Sequence, residues 1–213
     1  MASVYIQARK GGDGSEMNSF KKIFEMAASN KGGVPALEAM LTAPMETSEL
    51  LAIPDDRWLS TMTKCIFQAG FNWKVVDSMW QGFEEAFEGF DPGYCAMLNP
   101  EDLERLVSDT RIVRHGAKIK SVQDNASMLL DLKQENGTPN GATVIANWPN
   151  QDYVGLLALL KKRGSRLGGT TGQYFLRFMG KSSFIFSRDV VSALVREKVI
   201  DTAPTSKKAQ TAT

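Results

Sequence analysis

Cysteine and histidine are scarce in this chain: two of the first, Cys65 and Cys95, and one of the second, His115, in 213 residues. Two cysteines make no disulfide framework, and with a single histidine they argue against a structural zinc site. Excess charge is missing as well. The net charge is +1, from 25 basic and 24 acidic side chains. Any attraction to nucleic acid or membrane must therefore come from local patches. No apolar run approaches the ~20 residues that cross a bilayer. The opening stretch "MASVYIQARKGGDGSEMN" lacks the basic-then-apolar order of a signal peptide. Sustained strict alternation is absent, as is any repeat of about 20–50 residues. These absences lead us to expect a reduced, cytoplasmic protein with no membrane association, no metal and no cofactor. What is present is ordinary globular composition, 43% hydrophobic and 23% charged, enough for one good core or two small lobes.

The apolar residues recur mostly at helical spacing. Phe20, Ile23, Phe24 and Ala27 share a face, and "VPALEAML" fits a short helix with Pro35 in its first turn. "PDDRWLSTMTKCIFQAG" opens on acids suited to a helix N-terminus and closes on Gly70. "KVVDSMWQGFEEAF" follows, and then "NPEDLERLVSD", where Asn99 caps and Pro100 takes the first helical position. The longest pattern, "KIKSVQDNASMLLDLKQENG", stops at Asn136-Gly137, and "NQDYVGLLALLKKRG" ends at Gly164. "GTPNGATVIANWPN" reads as one long irregular connection. The expected fold class is all-α, with a flexible arm over residues 1–16, one domain over 17–200 and a disordered tail over 201–213.

Two basic clusters interrupt the neutrality. In "LLALLKKRGSRLGGTTGQYFLRFM" two helices meet at a glycine turn. Gly168 and Gly169, followed by Thr170 and Thr171, leave backbone N–H groups unpaired where the second helix begins, and a phosphate suits them. Lys161, Lys162, Arg163 and Arg166 surround that turn. On the glycines alone, an ordinary helical hairpin with a solvated basic edge is the commoner reading. The second cluster, "RIVRHGAKIK", offers Arg114, His115 and Lys118, and by itself is equally a solvated helix start.

Six ordered blocks change that balance: "FQAGFNW" (67–73), "FDP" (90–92), "EDLERLVSD" (101–109), "IVRHGAKI" (112–119), "NA" (125–126) and "LKKRGSRLGGTT" (160–171). Together they resemble the bacterial 3-methyladenine DNA glycosylase I family over about residues 60–190. The resemblance implies the helix-hairpin-helix DNA glycosylase fold, two helical lobes with a cleft between them, and the hairpin as the grip on the DNA backbone. It implies a partner, double-stranded DNA carrying a damaged base, and an activity, hydrolytic removal of a 3-methyladenine-like base to leave an abasic site. No obligate protein partner follows from it.

In the wider superfamily a carboxylate follows the helix after the hairpin, and "TTGQYFLRFMGKSSFIFSRDVV" resembles the segment that carries it, with Asp189 in that position. Cleaving an N-glycosidic bond builds positive charge on the sugar, which a fixed anion stabilises while it orients water. Asp189 is also geometrically sound as a first-turn acid of "VVSALVREKV". The lyase branch of the superfamily uses a lysine on the hairpin side of this helix; none occurs from Gly168 to Gly180, which implies a monofunctional enzyme.

Three departures set this chain apart from the family it resembles. The family's pocket glutamate falls on Cys65, which cannot accept hydrogen bonds as a carboxylate does. The family's N-terminal block with pocket tyrosines is not recognisable in residues 1–57. The family's zinc ligands are replaced, with Asp189 and Ala193 near two of their positions. The expected base pocket is Trp73, Gln68 and Cys65, with Trp58 on the same helix face as Cys65; Met62 is expected in the core and Phe67 on another face. Gln68 is expected to offer both a donor and an acceptor. The alternative is a helix-hairpin-helix DNA-binding protein that keeps the grip and has lost the chemistry.

Overall fold

The helical spacing becomes helix nearly throughout. The structure, a computed structural model, describes residues 19–204, and among these residues it contains helices and no strand. The arm expected over 1–16 and most of the tail expected over 201–213 lie outside the described residues. In chain order the α-helices are α1 (Phe20–Lys31), α2 (Val34–Glu38), α3 (Thr47–Leu51), α4 (Asp55–Gln68), α5 (Trp73–Ser78), α6 (Trp80–Ala86) and α7 (Pro92–Ala96). There follow α8 (Pro100–Ser108), α9 (Gly116–Asn136), α10 (Ala142–Ala146), α11 (Tyr153–Arg163), α12 (Thr170–Phe178) and α13 (Arg188–Arg196). No helix among the described residues is long and apolar enough to cross a membrane.

The chain divides into two compact units, one holding α1, α2 and α13, the other running from Pro44 to Ile185. In the first, the Ser19 hydroxyl accepts from the Lys22 N–H at 3.3 Å to start α1. The Ser187 hydroxyl accepts from the Val190 N–H at 3.2 Å to start α13.

In the second unit, local signals define most helix ends. Asp55 and Asp56 occupy the first turn of α4, and Gly70 turns the chain away beyond its last residue with φ of +70°. Asn99 caps α8 with Pro100 behind it, and α9 runs 21 residues to Gly137, at φ +60°. α4 and α9 pack on each other at the centre, and α7, α8 and α10 pack on α9 while α5 and α12 pack on α4. Trp58, Leu59, Met62, Ile66 and Phe67 of α4 meet Ile119, Val122, Ala126 and Leu129 of α9 in one buried cluster. Each large side chain so buried contributes roughly 1.5–3 kcal/mol.

Two segments differ from expectation. "KVVDSMWQGFEEAF" is two helices, α5 and α6, broken at Met79 (φ −95°, ψ 0°). The supposedly irregular "GTPNGATVIANWPN" contains α10, because its ends are held from a distance. Asp55 accepts from the Gly141 and Ala142 N–H groups, both at 2.8 Å. Beyond its other end, the buried Lys181 ammonium donates to the carbonyls of Ala146 at 2.7 Å and Trp148 at 2.6 Å. Five residues would not stay helical unaided.

One ion pair braces α4 against α6. The Arg57 guanidinium grips Glu84 at both oxygens, at 3.0 and 2.9 Å, and Ser60 and the Trp80 indole donate to the same carboxylate at 2.7 and 3.0 Å. Burial alone would raise the Glu84 carboxyl, but these hydrogen bonds outweigh it and hold it below the ordinary 4.5. A lowered folded value means a contribution fully present above pH 4.5 and lost as pH falls through the folded value. Glu84→Gln should therefore lower the urea midpoint near neutral pH, and the gap to wild type should close in acid. Midpoints measured from about pH 7 down to about pH 3 check this.

Candidate active site

The glycine turn between α11 and α12 has a conformation that its sequence requires. Gly169 sits at φ +60°, ψ −141°, a region closed to residues with a Cβ, and α12 begins there without a side-chain cap. The first N–H groups of α12 therefore lack acceptors within the helix and carry the positive end of its dipole. At Gly172 a Cβ would stand 2.4 Å from the Leu167 carbonyl oxygen, so only glycine lets the helix start lie this close to the turn. The turn is tied to α9. Asn125, fully buried, accepts from the Ser165 N–H at 2.8 Å and donates to the Ser165 carbonyl at 3.1 Å. Arg166, at φ +60°, donates to the Ala117 carbonyl at 3.2 Å. Asn125 belongs to the "NA" block (125–126) but was not named as a site residue; its local signal is a polar residue on the apolar stripe of a long helix.

A cavity of about 180 Å³ opens between the end of α4, the start of α5 and the first turns of α12. Cys65, Gln68, Ala69 and Gly70 line it from the α4 side and Trp73 from α5. Thr170, Thr171 and Tyr174 face them from α12. Three of the four expected pocket residues are thus brought together, and with them two of the hairpin residues expected at a phosphate. Tyr174 is an addition. It lies three and four residues beyond the threonines, the spacing that shares a helix face. Trp73 is 42% exposed and stands edge-on to Tyr174 at 5.4 Å and to Phe178 at 6.0 Å.

The lining carries neither a carboxylate nor a basic side chain. Burial pushes the Cys65 thiol up to about 12, so it stays protonated and is no nucleophile near neutral pH. The buried Gln68 spends its amide nitrogen on Asp77 Oδ1, at 3.1 Å, and the Lys64 ammonium reaches the same oxygen at 2.9 Å. Gln68 was expected to offer a donor and an acceptor; one N–H of its amide is engaged by Asp77, and its amide oxygen accepts from none of the described residues.

Other candidates lie elsewhere. Trp58 is fully buried, donates from its indole to the Ile53 carbonyl at 3.2 Å and packs edge-on to Phe175 at 5.9 Å. It shares a face with Cys65, but two turns earlier, where α12 covers it. Lys118, expected on the DNA side, is buried: its ammonium donates to the carbonyls of Phe67 at 3.1 Å and Ala69 at 2.8 Å, finishing α4. Burial, with Arg166 nearby, lowers its pKa. His115 caps α9, its Nδ1 accepting from the Lys118 N–H at 3.3 Å. Arg163 is engaged by Glu135, two bonds of 2.9 Å. Lys161, Lys162, Arg166 and Arg114 are exposed, Gly168 is half-buried beside Lys161, and Met62 and Phe67 are in the core. Asp189 is exposed in the first turn of α13, in the other compact unit. Among the described residues no cluster of three or more His, Cys, Asp or Glu could hold a metal.

Comparison with known proteins adds to this geometry. The methyladenine glycosylase family model matches residues 53–147, which run from just before α4 to the end of α10. The chain is 34% identical over 121 residues to DNA-3-methyladenine glycosylase 1 of Escherichia coli, covering 49% of this chain and 64% of that one. It therefore spans just under two thirds of that relative. It is 28% identical over 130 residues to the DNA-3-methyladenine glycosylase of Haemophilus influenzae, covering 53% of this chain and 70% of that one. Among solved structures it resembles the crystal structure of a 3-methyladenine DNA glycosylase I, with a TM-score of 0.50 and 28% identity, covering 63% of this chain and 84% of that one.

The burial of Lys118 gives a direct test of its role. Lys118→Met strands two carbonyls at the end of α4 and should cost about 1–3 kcal/mol. Lys161→Met, at an exposed site, should stay within about 0.5 kcal/mol of wild type. Denaturant titrations of the two variants read the difference.

Proposed function

We propose that this chain, whose residues 53–147 match the methyladenine glycosylase family, flips an alkylated base out of double-stranded DNA and hydrolyses its N-glycosidic bond, leaving an abasic site. The observation that carries the reading is the cavity itself. Trp73, Gln68 and Cys65 face the uncapped start of the hairpin's second helix across about 180 Å³. That is below the roughly 300–1,000 Å³ of pockets for drug-sized ligands, and suits a single base.

The chemistry follows from what the lining lacks. Alkylation that makes a purine cationic weakens its bond to the sugar, because the base then leaves neutral. Such a substrate needs little acid catalysis from its pocket. It needs stacking, shape and a hydrogen-bond partner. Trp73 offers an aromatic surface, and cation–π attraction there is worth roughly 0.5–2 kcal/mol. Gln68 offers an amide oxygen. Cys65 adds no charge, so the pocket neither anchors the base through a carboxylate nor competes for its proton. The hairpin N–H groups of Thr170 and Thr171 suit a phosphate beside the extruded nucleotide. Exposed Lys161 and Lys162 add positive charge to the same turn. The role of fixed anion belongs in this reading to Asp189. That carboxylate lies on α13, and the pocket assignment does not depend on it.

The reading is tested by incubating the protein with methylated duplex DNA and measuring free base released. Wild type should release 3-methyladenine. Trp73→Ala should slow single-turnover release about ten-fold, the scale of one lost stacking surface. Asp189→Asn should slow it as well; an unchanged rate would remove Asp189 from the mechanism and leave the pocket standing. Retained binding to duplex with no base released would instead make this a non-catalytic DNA-binding protein.

A further inference from the structure

In an uncharged pocket, hydrogen-bond polarity has to separate one base from another, and Gln68 is where that polarity can be reversed. A glutamine amide carries its oxygen and its NH₂ on opposite sides, and a half-turn of the group exchanges them at little intrinsic cost. Left alone, it would present either a donor or an acceptor to the cavity. Asp77 removes the choice. A carboxylate is an acceptor only, so the side of the amide that meets Asp77 Oδ1 at 3.1 Å has to be the NH₂. Asp77 comes from α5 and is not part of the cavity lining, whereas Gln68 is. The oxygen is thereby fixed on the side away from Asp77, and none of the described residues donates a hydrogen bond to it. Asp77 is itself held: the Lys64 ammonium meets the same Oδ1 at 2.9 Å and lies 5.2 Å from the centre of the Trp80 ring.

We infer that Asp77 is a positioning residue for base selection: it locks the buried Gln68 amide with its oxygen toward the cavity, so that the site takes bases offering an amino group at that edge and disfavours those offering a carbonyl oxygen. Adenine carries an amino group where guanine carries O6, so the lock favours alkylated adenines over alkylated guanines. The inference rests on the glycosylase reading for its consequence but not for its geometry.

The test pairs a selectivity measurement with a spectroscopic one. In single-turnover excision, Asp77→Ala should lower the preference for 3-methyladenine over 3-methylguanine about five- to ten-fold, the weight of one oriented hydrogen bond. Asp77→Asn should restore most of that preference over Asp77→Ala, since its amide oxygen can accept from both Gln68 and Lys64. In a Gln68→Ala background, Asp77→Ala should have no further effect on the preference. In ¹H–¹⁵N spectra the Gln68 side-chain NH₂ pair, assigned by its loss in Gln68→Ala, should be slow to exchange in wild type and fast in Asp77→Ala. Unchanged amide signals in Asp77→Ala, or an equal shift in preference with and without Gln68, would overturn the inference. If wild type releases no base, the glycosylase reading fails; the amide spectra, with titrations of free 3-methyladenine against free 3-methylguanine, then decide the positioning role alone.

Discussion

Both walls of the cavity are fastened to one helix by buried polar side chains. From α9, Lys118 reaches the carbonyls that end α4, and seven residues later Asn125 clasps the backbone of the hairpin turn at Ser165. Two helical turns separate these residues, so they project from one face of α9. A buried ammonium or amide is costly unless its hydrogen bonds are made, and the partners here are backbone atoms at defined points of the chain. Such contacts tolerate little sliding. The end of α4, with Cys65 and Gln68, and the start of α12, with Thr170 and Thr171, are thereby held at a set separation, and the cavity is the space between them.

Within that frame the pocket is neutral. The thiol of Cys65 keeps its proton through burial and adds no charge. A negative group would attract cationic bases directly. On the proposed reading, its absence leaves recognition to an aromatic edge and an amide, two weaker and more easily reversed interactions. The neighbouring charges are consistent with this economy: Asp77 is matched by Lys64 and Glu84 by Arg57, both outside the lining. The lining itself adds no charge, and the start of α12, which has no side-chain cap, borders it.

Much of this was legible in the chain. Asn99-Pro100, Asn136-Gly137 and the glycines at 164 and 168–169 marked helix ends that the structure has within a residue or two. Those signals act over one turn, through caps and backbone preference. Trp73, Gln68 and Cys65 were expected as a group through the family resemblance, and they come together because they lie within nine residues across the end of α4 and the start of α5. Tyr174 and Asn125 were not, because their importance depends on what α12 and the hairpin pack against.

Local sequence by itself determined helical class, most helix boundaries and the shape of the glycine turn, since each depends on neighbours within about four residues. Tertiary structure alone decided which lysine is buried and which exposed, which tryptophan is core and which lines a cavity, and that five residues from Ala142 become helix. Lys118 and Lys161, or Trp58 and Trp73, are chemically identical side chains. Their difference lies in desolvation, which depends on segments tens of residues away brought into contact by packing.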